Sequence, residues 1–211
     1  SLVGSEMCIR DRNTRGKIVE AAWQLFYEQG YEDTTVEEII ESSHTSKGSF
    51  YHYFDGKDAL LSTLSDLFDQ KYLALQEDMD PAMPAMDKLL FLNRALFRMI
   101  ENSVSMDLLA RLLSTQLVTN GERHLLDHKR IYYRLLRRII AEGQAAGQLS
   151  QGRSVNDMVK VYALCERALL YDWCLCGGEY PLCDYAARQM PHFLCDFLPP
   201  PSSKNGSGGN P

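Results

Sequence analysis

TVEEIIESSHTSKGSFYHYF, residues Thr35 to Phe54, reads as two short helices around a tight turn. Thr35 stands three residues before Glu38. This is capping-box spacing, in which each side chain satisfies a free backbone donor at the helix start. Val36, Ile39 and Ile40 then form a short apolar face, and Ser42, Ser43, His44 and Thr45 break it. Ser46 suits the cap of a second helix, with Lys47, Gly48, Ser49 and His52 on its outer side and Phe50 and Phe54 inward. Two short helices and a tight turn, the second helix with a small, polar outer face, make a helix-turn-helix. The second helix of such a unit enters a DNA major groove.

The segment Thr14–Leu61 of the 211 residues resembles the DNA-binding domain of the TetR family of bacterial transcriptional regulators. The resemblance is carried by Phe26, Gly30-Tyr31, Thr34-Thr35-Val36, Ser46-Lys47-Gly48-Ser49-Phe50-Tyr51-His52-Tyr53-Phe54, Lys57 and Leu60-Leu61, in that order and spacing. Two places depart from the family pattern. Ile40 replaces a small residue, and His44-Thr45 replaces Gly-Val. Histidine tolerates a left-handed backbone better than most side chains, so the turn remains feasible. The resemblance implies an all-α homodimer that binds a near-palindromic operator in double-stranded DNA and responds to a small-molecule effector, most often as a repressor. It further implies that Thr35, Tyr51, Tyr53 and Lys57 hold phosphates, while Lys47, Gly48, Ser49 and His52 approach base edges.

Composition sets the outer limits. Hydrophobic residues make up 45% and charged residues 24%, as in an ordinary globular chain. No apolar run is long enough to span a bilayer. The net charge of -6 does not mark a nucleic-acid protein. Between residues 13 and 57, Arg15, Lys17, Lys47 and Lys57 face Glu20, Glu28, Glu32, Asp33, Glu37, Glu38, Glu41 and Asp55. DNA affinity therefore has to come from a local patch. Ser42–Lys57 supplies one, with Lys47, Lys57, His44 and His52 against Asp55. The six cysteines show no secreted spacing, which with a DNA-binding motif points to a reducing cytoplasm and free thiols.

Taken in order, SLVGSEMCIRDR at residues 1–12 resembles a translated sequencing adapter rather than protein, so native sequence is expected from near Asn13. A first helix is expected over 15–29, with Ile18, Ala21, Ala22, Leu25 and Phe26 as its stripe and Gly30 as its stop. After Asp55-Gly56 a long helix is expected to run to about Met79. Further helical patterns cover 85–103, 107–119, 122–146, 154–176 and 181–198, punctuated by Gly and Pro, with Pro191 expected to kink or split the last. No convincing strand pattern appears, so the fold is all-α: a DNA-binding domain over 13–58, an effector-binding and dimerisation domain over 59–198, and a disordered tail over 199–211. The helix over 154–176 is apolar on two faces, which predicts burial on two sides. With the family resemblance this implies a homodimer through the last two helices.

No catalytic set is present: no Gly-x-Ser-x-Gly, no phosphate loop, no His-Glu-x-x-His. No enzyme activity and no cofactor are expected. His124 and His128 are spaced to share a helix face, but Lys129 and Arg130 crowd them, and a solvated face is the simpler reading, with no metal site expected. Cys174, Cys176 and Cys183 suggest a thiol or zinc sensor as an alternative. Residues two apart on a helix do not face each other, and free cysteine is commonly a small buried hydrophobe. Another alternative is an all-α interaction module that no longer binds DNA. For an effector, Tyr132, Tyr162, Cys165, Glu166, Tyr171 and Trp173 offer an apolar wall with polar anchors. Arg167 and Asp172, in the same apolar helix, need partners.

Overall fold

The computed structural model describes residues 2–118 and 123–200, with residues 2–12 described by their backbone only. Ten α-helices and two 3-10 turns account for the regular structure of the described residues, and none of these residues forms a strand. A head consists of α1 (Leu2–Glu28), α2 (Val36–Ser42), α3 (Lys47–Tyr53) and α4 (Lys57–Leu61). The body follows with α5 (Leu64–Asp78), α6 (Ala85–Ser103), α7 (Met106–Val118), α8 (Ile131–Ala145), α9 (Val155–Leu175) and α10 (Leu182–Phe193).

Local chemistry explains the head. The Thr35 hydroxyl accepts from the Glu38 N–H at 3.2 Å, and Glu38 accepts from the Thr35 N–H at 2.7 Å, which completes the capping box. Ser46 caps α3 by accepting from the Ser49 N–H at 3.0 Å. Between them, His44 adopts φ 52°, the left-handed region. The His44 N–H reaches the Glu41 carbonyl and the Thr45 N–H reaches that of Ile40, so α2 ends in a Schellman motif. The unusual residue thus does the work of the family's glycine. Ile18, Ala22, Phe26, Ile39, Phe50 and Phe54 pack behind the motif with Tyr31, Leu60 and Leu61.

In the body, α6 is central and packs against α5, α8 and α10. Leu89, Leu92, Leu96, Phe97 and Ile100 give it a buried stripe at helical spacing, interrupted by a buried Asn93. Each such apolar side chain stabilises the fold by roughly 1.5–3 kcal/mol. Leu108 of α7 leaves the body core and joins the head cluster, and Trp23 of α1 packs against both.

The helical layout differs from the sequence reading at four places. The long helix expected after Gly56 breaks at Ser62-Thr63, which separates α4 from α5. There the Ser62, Thr63 and Ser65 hydroxyls bond back to the Ala59, Leu60 and Ser62 carbonyls. The N–H groups of Thr63, Ser65 and Asp66 then bond three residues back rather than four. Hydroxyl side chains that compete for the ladder in this way tighten and bend helices. The Trp23 indole N–H, donating to the Thr63 hydroxyl at 2.8 Å, fixes the break against α1.

The helix expected over 122–146 starts only at Ile131, after a 3-10 turn at His124–Leu126. Asp127 explains the delay, because its carboxylate accepts from the Lys129 N–H at 2.8 Å and holds a turn. His124 and His128 consequently share no helix face. The last helix runs through Pro191 and ends at Phe193, so the split falls after the proline, before a 3-10 turn at Cys195–Phe197. Finally, α1 extends as backbone from Leu2 instead of starting near Arg15. The adapter-like run over 1–12 lies outside the described side chains, and the tail from residue 201 on lies outside the described residues.

A left-handed backbone costs a non-glycine residue about 1–2 kcal/mol. His44→Gly is therefore expected to stabilise the protein, by about 0.5–1 kcal/mol once glycine's larger unfolded-state entropy is set against it. Urea denaturation would show this as a higher midpoint at unchanged slope.

Candidate nucleic-acid interface and ligand cavity

The outer face of α3 is built from short or flexible side chains. Lys47, Gly48, Tyr51 and His52 are exposed, and Ser49 and Tyr53 are half-buried. Lys47 reaches back to Glu37 on α2 at 3.3 Å, and its ammonium lies 6.0 Å from the Tyr51 ring centre. Both partners of that ion pair are two-thirds exposed, so it is weak and readily exchanged for a phosphate or a base. A methyl group added at Gly48 would meet only the Ser46 hydroxyl, at 3.9 Å. Nothing inside the protein requires glycine there. The space is open outward, where a close-approaching surface would fill it.

Two of the expected phosphate-binding residues have internal duties. Thr35 is tied into the capping box, although it remains exposed. Lys57 donates to the carbonyls of Tyr31, Glu32 and Thr34 at 2.6, 3.2 and 2.8 Å and stands 4.3 Å from the Tyr31 ring centre. All three ammonium protons thus hold the loop between α1 and α2. The Tyr31 hydroxyl donates to Asp58, one residue further along α4. Lys57 positions the motif, a role that the spacing did not reveal.

The body holds a cavity of about 50 Å³ between α5, α6, α7, α8 and α9. Its wall is mostly leucine and aromatic, with Phe68, Tyr72, Leu109, Leu112, Leu113 and Tyr132 among the lining. Glu166 enters it as a carboxyl that is 3% exposed. Asn93 donates to one of its oxygens at 2.9 Å and the Tyr132 hydroxyl to the other at 2.7 Å. Burial pushes this carboxyl above its ordinary range and outweighs the hydrogen bonds from Asn93 and Tyr132 that favour the charged form. The Tyr72 hydroxyl, also in the wall, is buried without any hydrogen-bond partner.

Of the effector candidates, Tyr132 and Glu166 thus meet at the cavity. Tyr171 lines a neighbouring hollow of about 360 Å³. Tyr162 lies behind Glu166 and donates to the Leu89 carbonyl at 2.8 Å. The Trp173 indole donates to the Tyr180 carbonyl at 2.9 Å, and Cys165 is half-buried; none of these three lines the cavity. Arg167 lines both spaces and donates to the Tyr133 hydroxyl at 3.4 Å, and Asp172 accepts from Tyr180 at 2.8 Å. Tyr72 and Asn93 occupy positions in the buried stripes of α5 and α6, which hides them in the sequence. An asparagine inside the Leu89–Phe97 stripe was the available signal for a buried polar partner.

Among the described residues no group of three or more His, Cys, Asp or Glu is placed to hold a metal ion. Burial pushes the Cys165 and Cys174 thiols up, away from the thiolate that redox sensing needs. No helix among the described residues is long and apolar enough to cross a membrane.

Because folding raises the Glu166 pKa above its ordinary 4.5, the stability that this group contributes is complete below that pH and is lost as pH rises through the folded value. Glu166→Gln should therefore gain stability over the wild type progressively above pH 4.5, with the difference closing at lower pH; urea titrations across that range measure it.

Residues 18–64 match the family model described as bacterial regulatory proteins, tetR family. A Lactococcus lactis protein named as an uncharacterized HTH-type transcriptional regulator is 48% identical over 46 residues, which is 22% of this chain and 24% of that protein. The fatty acid metabolism regulator protein of Bacillus subtilis is 24% identical over 141 residues, 66% of this chain and 73% of that one. Across three of the curated relatives the chain spans 19–29% of their length. Sequence likeness is thus concentrated in the head. The fold extends further: the crystal structure of Thermus thermophilus FadR, a TetR family repressor in complex with lauroyl-CoA, matches with a TM-score of 0.74 at 22% identity, over 91% of this chain and 99% of that one. These relatives are named as regulators. Residues 18–64 are thus similar to the tetR family of bacterial regulatory proteins, and the fold of the chain is similar to that of Thermus FadR.

Proposed function

We propose that this protein is a cytoplasmic, homodimeric repressor of transcription that releases its operator when a small molecule enters the body. Residues 13–58 would bind DNA, and residues 59–198 would take the effector and dimerise. The observation that carries the reading is the outer face of α3, where an unneeded glycine lies beside an exposed lysine, an exposed histidine and a half-buried serine. Gly48 would let the backbone approach the groove floor, and Lys47 would reach guanine acceptors or phosphate. Two such helices in a dimer would sit in successive major grooves roughly 34 Å apart.

Dimerisation is supported by an uncovered apolar stripe on α9. Leu164 and Leu175 are 56% and 79% exposed, and Val161, Ala168 and Tyr171 continue the line. Phe193 of α10 is also exposed. A second copy, related by a twofold axis through these two helices, would cover the stripe.

Coupling would run through α7. Leu109, Leu112 and Leu113 line the cavity, while Leu108 enters the head cluster and Arg111 pairs with Glu32 at 2.6 Å. The Arg111 guanidinium also lies 4.9 Å from the Tyr31 ring centre. A ligand that displaces the cavity side of α7 thus pulls on the head. It shifts the equilibrium only as far as it binds the displaced state more tightly. The leucine-rich wall also suits an acyl chain, and Thermus FadR holds lauroyl-CoA. An acyl-CoA is accordingly a second effector class.

Selection of the full chain against a random duplex DNA pool should enrich a near-palindrome; a folded dimer that enriches nothing overturns the regulator reading. On that operator, Lys47→Ala should weaken binding and reduce the salt slope by about one per protomer. Gly48→Ala should stabilise the free protein by about 0.5 kcal/mol while weakening operator binding, a combination read by urea denaturation and DNA titration.

A further inference from the structure

We propose that the cavity beneath α7 takes a primary or secondary amine on an apolar body, with its ammonium seated between Glu166 and Tyr72. This names the ligand class of the effector site and rests on that reading.

The cavity is asymmetric in charge. Glu166 receives hydrogen bonds from the neutral groups of Asn93 and Tyr132, and among the described residues no cation stands within salt-bridge distance of it. Arg167, next to it on α9, favours its charged form without forming an ion pair. A buried carboxyl without a direct counter-ion is costly, and a ligand cation relieves that cost. Arg130 in the same wall is already neutralised by Asp69 at 2.7 Å. Arg167 donates to the Tyr133 hydroxyl at the seam with the neighbouring hollow. At the Tyr72 and Tyr132 hydroxyls, Glu166 is the strongest charge felt.

The hydroxyl of Tyr72 supplies the independent sign of an absent partner. It is buried and lacks a hydrogen-bond partner, in a fold that otherwise satisfies its buried side-chain polar atoms among the described residues. Its ring and that of Tyr132 are 5.1 Å apart, with Phe68 in the same wall. Aromatic faces beside a carboxylate attract an ammonium. An amine N–H can donate to Glu166 and another to the Tyr72 oxygen. A carboxylate or phosphate head would be repelled by Glu166, and an alcohol would leave its charge uncompensated.

Size gives the ligand its direction. A cavity that accepts benzene measures about 150 Å³, so about 50 Å³ accommodates the ammonium end only. The apolar body would pass the seam of Leu113, Leu125 and Arg167 into the hollow of about 360 Å³ that shares those residues. Passage parts α7 from the 3-10 turn that carries Leu125, the displacement that operator release needs.

The test is calorimetric titration of the DNA-free full chain with 4-phenylbutylamine, 4-phenylbutan-1-ol and lauroyl-CoA. The amine should bind about ten- to a hundred-fold tighter than the alcohol. Glu166→Gln should abolish that preference, and Tyr72→Phe, which keeps the ring, should reduce it. An amine that binds no tighter than the alcohol, including no binding at all, overturns the proposal, as does a preference that survives Glu166→Gln. Lauroyl-CoA binding with both phenylbutyl probes silent assigns the cavity to an acyl chain and overturns it too. Should Glu166→Gln fail to fold, the matched pair on the wild type still decides. Operator affinity, measured without ligand, tests the regulator reading separately.

Discussion

One helix belongs to two cores, and the other parts are arranged around that constraint. α7 is 13 residues long, less than four turns, yet Leu108 is buried with the head while Leu109, Leu112 and Leu113 are buried with the body. Adjacent positions on a helix point about 100° apart, so Leu108 and Leu109 cannot serve one surface. The head is therefore seated on the body by a rigid element. Arg111, shared between Asp107 on its own helix and Glu32 on the head, extends that seat to a polar contact. An interior that is close-packed on both sides does not absorb a shift; it passes the shift on.

The head was readable because its structure is local. Caps at Thr35 and Ser46, the glycine after α1 and the turn at His44 all depend on neighbours within a few residues, and sequence displays such neighbours directly. The break at Ser62-Thr63 is equally local, but the apolar stripe through Leu60, Leu64 and Phe68 runs straight across it and hides it. Hydroxyl back-bonding and helical periodicity make opposite predictions there, and periodicity is the more visible signal. Asp127 delayed α8 for a similar reason, its carboxylate capturing the Lys129 N–H in a turn.

The body's cavity was only half legible. A glutamate and two tyrosines in an apolar helix announced a polar interior, and Glu166 does meet Tyr132 of α8 there. Which of the others join them is set by how α5 and α6 cross α9, which no single-chain pattern encodes. Tyr72 and Asn93 lie far from Glu166 in sequence and become its neighbours only through packing. Lys57 shows the same limit on the head. Its spacing matches a phosphate-binding residue, but three carbonyls from the preceding loop converge on its ammonium.

The seven-residue α3 is too short to persist as a helix in isolation. It exists because Phe50 and Phe54 are held in a cluster to which Leu108 of the body also contributes. Transplanting this head onto a regulator to redirect its sequence preference would consequently require more than cutting at the apparent domain boundary. The recipient would have to present its own equivalent of Leu108 and Arg111. The unit of exchange is the head together with one face of α7, and modularity in this molecule does not end at the boundary between α4 and α5.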